Sequence, residues 1–181
     1  IKFHACCRHV HAPAEALLRL IAEHGIAPRG IDAIEVATYS GALRLANRPR
    51  PQGFTDIQFS IPYCLGLLAC DGPDALMPLM ETAVNRPEVV ALAEKVSLSL
   101  DPELEARFPA ETLSRVTIRA GGQSFISPVT APRGEASNPP SWADLEAKLE
   151  QACRFVATPE QRRQLLAALR RLRAGEHAPL L

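Results

Sequence analysis

The 181-residue chain has no excess charge of either sign: Lys and Arg together number 20, and Asp and Glu together number 20. No long-range field therefore draws it to nucleic acid or to an anionic membrane, and neither partner is expected. It also lacks any apolar run near the roughly 18–20 residues of a membrane span, and no charged leader precedes a signal-type core. Cysteine is sparse and odd in number. Cys6, Cys7, Cys64, Cys70 and Cys153 form no paired framework, and a chain of this length buries enough surface to manage without disulfide staples. A reducing, cytoplasmic compartment is expected. Missing as well are a GxSxG elbow, a P-loop and a dinucleotide fingerprint in a strand-to-helix setting, so no nucleotide is bound by a known pattern. What is present is 47% hydrophobic residues against 22% charged, a balance that excludes disorder and suits one globular domain with, at most, a small appendage.

The pattern along the chain alternates between periods. Pro13 fits a first helical turn, and Ala14, Leu17, Leu18, Ile21 and Ala22 recur at helical spacing until Gly25. Ile34, Val36 and Thr38 alternate as a half-buried strand. From Asp56 to Cys70 the chain is apolar almost all round, with Ser60 as N-cap and Pro62 in the first turn, which predicts a buried helix. Leu76 to Val84 suggests a second helix in spite of Pro78, and Asn85 with Pro87 opens a third. Strands are expected around Val96–Leu100, Val116–Ile118 and Phe125, the last entered through a Gly121–Gly122 turn. The proline-rich stretch 129–140 reads as an extended connector, and capping boxes at Ser141/Asp144 and Thr158/Gln161 open two terminal helices within 141–181. The fold class this predicts is α+β, a small antiparallel sheet packed with helices.

Two constellations carry chemistry. In KFHACCRHVH, residues 2–11, Lys2, His4, Cys6, Cys7, Arg8, His9 and His11 crowd together. Lys and Arg fix carboxylates, His moves protons near neutral pH, and His11 stands just ahead of the helix expected from Pro13, where free amides favour an anion. A carboxylate ligand fits this set. The bland alternative is surface histidines and small core cysteines. A metal site is not expected, because adjacent Cys6 and Cys7 do not match C-x(2–4)-C spacing and no second pair follows. In FSIPY, Ser60 and Tyr63 are the hydroxyls of an apolar helix. The phenol either reaches a ligand oxygen or, on the purely structural reading, is tied to a backbone carbonyl. Arg48, Arg50 and Arg86, in NRPRP and NRPEV, read as solvated surface by default. Since polar chemistry is densest at the very start, and the first residue is Ile, the natural chain is expected to continue upstream of Ile1.

Taken in order, KFHACCRHVHAPAEALLRL, a strand ending in TY, NRPRP, FSIPYCLGLLACDG, NRPEVVALAEKV and PRGEASNPPSWADLEAKLE resemble the C-terminal domain of the MmgE/PrpD family of 2-methylcitrate dehydratases and cis-aconitate decarboxylases. Ala5 departs from the family's usual proline. The resemblance implies a smaller α+β lid domain over 1–181, missing its large N-terminal helical partner domain. It also implies a homodimer, no cofactor, and a di- or tricarboxylate substrate. By the same resemblance the family's Lys and His fall on Lys2 and His11 and its pocket tyrosine on Tyr63; catalytic roles are expected for His11 and Tyr63, and substrate-binding roles for Lys2 and Ser60. The implied activity is hydro-lyase chemistry of the 2-methylcitrate dehydratase kind, with this chain incomplete and inactive alone. A decarboxylase or epimerase of the same family, or a non-catalytic lid subunit for a separate helical chain, are the alternatives.

Overall fold

The computed structural model describes residues 1–176, so the last part of the 141–181 terminal segment lies outside the described residues. The chain divides into two compact units, residues 1–139 and 140–181.

In the first unit, helix α1 (Arg8–His24) ends on Gly25, whose left-handed φ of 63° is a common helix stop. It starts five residues earlier than Pro13 suggested. Pro13 sits inside it, and His11 is the fourth helical residue instead of preceding the helix. Strand β1 (Ile31–Thr38) buries Ile31, Ile34, Val36 and Thr38. Short helices α2 (Ser40–Leu43) and α3 (Phe54–Gln58) lead to α4 (Ile61–Asp71). The apolar run from Asp56 is thus two helices, because Ser60 caps the second: its Oγ accepts from the Tyr63 amide at 3.2 Å. Nine of the eleven α4 residues are buried, as its all-round apolar character requires.

No helix forms over Leu76–Val84; that stretch is turns with one 3₁₀ turn at Glu81–Ala83. Pro78 has no N–H to donate and pushes Met77 away from helical backbone angles, which overrides the apolar spacing. Helix α5 (Pro87–Ala93), strand β2 (Val96–Leu100), α6 (Pro102–Glu105), β3 (Arg115–Ala120) and β4 (Gln123–Ile126) complete the unit. Gly121 and Gly122, with φ of 56° and 75°, make the tight β3–β4 turn.

The fold is α+β, with a four-stranded sheet among the described residues in the order β2-β1-β3-β4. It is mixed. The β1–β3 and β3–β4 pairs are antiparallel as expected, but β2 runs parallel to β1, Val36 opposite Leu98. The α2–α5 excursion supplies the long crossover that a parallel neighbour needs. Helix α1 packs on β3 and α4, and α4 on α5. Among the described residues the buried hydrophobic core runs from Phe3 to Ile118.

The second unit is a helical hairpin, α7 (Trp142–Cys153) and α8 (Pro159–Arg173), each opened by a complete capping box. Leu145, Leu149, Leu165, Leu166 and Leu169 are half-buried, and Arg170 holds Glu146 through 2.7 and 3.0 Å hydrogen bonds. No described helix is long and apolar enough to cross a membrane.

Candidate functional site

Residues 2–7 precede α1 without regular structure and are tied by backbone to the end of α3 and to the turns that follow α4. The Ala5 amide donates to the Leu76 carbonyl and the Cys7 amide to the Gln58 carbonyl, both at 2.8 Å. Gln58 Nε2 returns a bond to the Ala5 carbonyl at 3.2 Å. On the other side, Arg8 Nε donates to Glu135 at 2.7 Å, and the Arg133 guanidinium lies 4.0 Å from the Phe3 ring centre. The cation-rich segment is therefore clamped between two loops that are distant in sequence.

This clamp shapes a cavity of about 300 Å³ whose wall includes Lys2, His4, Cys7, Gln58 and Phe59. Lys2 is exposed, with Nζ donating to the Cys6 carbonyl at 3.2 Å. His4 is 5% exposed and His11 fully buried, with ring centres 5.2 Å apart. Neither imidazole has a hydrogen-bond partner at either nitrogen. Glu15 Oε1 stands 3.8 Å from His4 Nε2, close enough to favour an imidazolium but too far for a hydrogen bond.

Burial pushes the His4 pKa down to about 4, with Arg133 adding to the effect. His11 falls to about 3, through burial first, then the charges of His4 and Arg8, against a smaller raising effect of the Cys6 backbone. Both rings are therefore neutral near pH 7. The third histidine of the cluster, His9, faces elsewhere: its Nδ1 lies 2.6 Å from Tyr39 Oη, and Tyr39 stacks on Phe108 with centres 4.5 Å apart.

Ser60 and Tyr63 are placed differently from Lys2. Ser60 Oγ donates to the Arg48 carbonyl at 2.6 Å besides capping α4. Tyr63 Oη donates to the Ala83 carbonyl at 2.7 Å and accepts from the Arg86 amide at 2.9 Å. Burial raises its pKa. Neither hydroxyl, nor His11, lines the Lys2–His4 cavity. The sequence pattern places His4 within the cluster but gives it no role, although it is the histidine at the cavity wall. An isolated histidine carries no sign of which loop will cover it.

The arginines of the loop motifs are ion-paired: Arg48 with Asp56, Arg50 with Glu94, and Arg86 with both Asp71 and Glu88. A larger cavity of about 580 Å³ beside Arg86, Cys70 and Lys95 has its main charges satisfied, since Lys95 Nζ donates to the Ile31 carbonyl at 2.7 Å. Among the described residues no three His, Cys, Asp or Glu side chains converge where a metal ion could be held.

The first unit is thus an α+β domain with a mixed sheet, a cationic segment held by hydrogen bonds, and two buried imidazoles. The chain belongs to the MmgE/PrpD family, which includes dehydratases and other lyases: residues 4–173 match the model of the MmgE/PrpD C-terminal domain. No curated protein matches the chain.

Proposed function

We propose that this chain is the C-terminal part of a cofactor-independent lyase acting on a di- or tricarboxylate, with dehydration of 2-methylcitrate as its reaction. The observation that supports this most is a buried, neutral His4 lining one cavity with Lys2, with the His11 ring 5.2 Å behind it. Water elimination beside a carboxylate requires a cation to hold the carboxylate and a neutral base to take the adjacent carbon-bound proton. A polyanionic substrate entering the cavity raises the pKa of nearby imidazoles toward the working pH, since an opposite charge favours the protonated form. The substrate thereby strengthens its own base.

In this reading Lys2 binds a substrate carboxylate and His11 takes part in proton transfer or in carboxylate binding. Tyr63 supplies a hydrogen bond or a proton, and Ser60 a further substrate contact, each by exchanging an internal hydrogen bond for one to substrate. A helical domain completes the pocket, and the working enzyme is a homodimer.

The test is 2-methylcitrate turnover by the complete polypeptide that contains this segment. Dehydration is expected, His11→Ala should lower turnover by at least about ten- to a hundredfold, and Lys2→Gln should act mainly on KM. A complete polypeptide inert toward di- and tricarboxylates would leave the non-catalytic lid reading in its place.

A further inference from the structure

His4 has no role in the reading above, yet it is the histidine among the residues that line the Lys2 cavity. It is 95% removed from solvent, both of its ring nitrogens lack a hydrogen-bond partner, and it lines the same cavity as the Lys2 side chain. Leaving a buried polar group unsatisfied is costly, and such a group in a residue that lines a cavity can be satisfied by what fills it. The fully buried His11 does not line that cavity.

Building on the lyase reading above, we propose that His4 is a catalytic residue, the proton-transfer group that meets the substrate directly, with His11 behind it. The groups facing it are Lys2 and the Cys6 backbone on its own segment, Glu15 and His11 on α1, Gln58 on α3, and Arg133 on the 129–140 loop. Glu15, 3.8 Å from Nε2, stabilises the imidazolium that forms, and Lys2 holds a carboxylate at the cavity mouth. As the C–H bond next to a substrate carboxylate breaks, its proton passes to a ring nitrogen of His4. The electron pair left on carbon forms the C=C bond while the neighbouring C–O bond breaks. The departing hydroxide takes the proton back from the imidazolium and leaves as water, which regenerates neutral His4.

Two measurements on the complete polypeptide test this. His4→Gln should lower kcat by about ten- to a hundredfold with little change in KM, and should remove the acidic limb of the kcat–pH profile, because the base must be unprotonated to act. Ring NMR signals of the unsubstituted protein should show His4 shifting when tricarballylate, a tricarboxylate without the leaving hydroxyl, is added; this readout stands even if the variant fails to fold. A folded His4→Gln enzyme with near-parental kcat, or a His4 signal unmoved at saturating tricarballylate, overturns the assignment and leaves the lyase reading standing if His11→Ala is impaired. A parent that neither turns over di- and tricarboxylates nor binds tricarballylate overturns both.

Discussion

Burying two imidazoles without hydrogen-bond partners makes folding itself sensitive to acid. The His4 pKa, about 4 in the fold, lies below the ordinary value near 6.5 that it regains on unfolding. Its contribution is fully present above that ordinary value and is lost as pH falls through 6.5 toward 4, because the unfolded chain binds the proton first. The difference amounts to roughly 3 kcal/mol for His4, and His11, held near 3, extends the loss to lower pH. Urea midpoints measured from pH 7 to pH 4 should therefore fall steeply below pH 6, and His4→Gln should flatten the upper part of that slope. An unchanged slope would show that protonated His4 is accommodated in the fold. Tyr63 allows a separate expectation. Tyr63→Phe leaves the Ala83 carbonyl and Arg86 amide without their partner, and should lower unfolding free energy by about 1–3 kcal/mol. Turnover compared at equal folded fraction then reports chemistry alone, and a remaining tenfold loss would place the phenol at the substrate.

Among the elements, α4 is the one on which others are fitted. Its Gly66 faces α5 so closely that an added Cβ would stand 2.9 Å from the Val89 carbonyl oxygen and 3.1 Å from Val89 Cγ1. Because the nearest atom is backbone, it cannot rotate away, and the two helices would have to separate. Gly66→Ala should destabilise by about 1–3 kcal/mol, read as a lower thermal midpoint. The PRGEASN loop behaves similarly toward the segment that precedes α1. Gly134 has φ of 90°, and a Cβ there would fall 2.2 Å from the Ile1 carbonyl oxygen. Gly134→Ala should displace that segment and weaken the Arg8–Glu135 clamp, lowering turnover more than it lowers the melting temperature.

The short motifs also explain one another at this scale. Asn47 of NRPRP accepts from the Ile61 amide at 3.0 Å, and Arg48 accepts from Ser60 of FSIPY. Arg86 of NRPEV is held by Tyr63 through its amide and by Asp71 through its side chain. Each motif was visible as a string, and its partner was not. Caps and turns, by contrast, were legible because Ser141, Thr158, Gly121 and Gly122 act within three or four residues of themselves. The helix expected around Pro78 failed for an equally local reason, which the apolar spacing had masked.

For the whole molecule, the placement of the core decides what can stand alone. Since the hydrophobic core of the described residues falls between Phe3 and Ile118, the first unit contains its own core. A chain ending at Pro139 should unfold cooperatively, with far-UV signal lost in a single transition. A broad, non-cooperative melt would show that residues 140–181 are needed to complete it.

Composition, period and local turn chemistry were enough to specify the α+β class, the buried character of α4, both terminal caps and the cationic cluster at residues 2–11. These depend on neighbours within a helical turn or a strand repeat. Three features were decided only when the chain closed on itself: the parallel pairing of β1 with β2, the engagement of Ser60 and Tyr63 inside the fold, and the placement of His4, not His11, among the residues lining the cavity. Each depends on residues tens of positions apart meeting in space, and burial, hydrogen-bond satisfaction and shifted acidity are properties of that meeting.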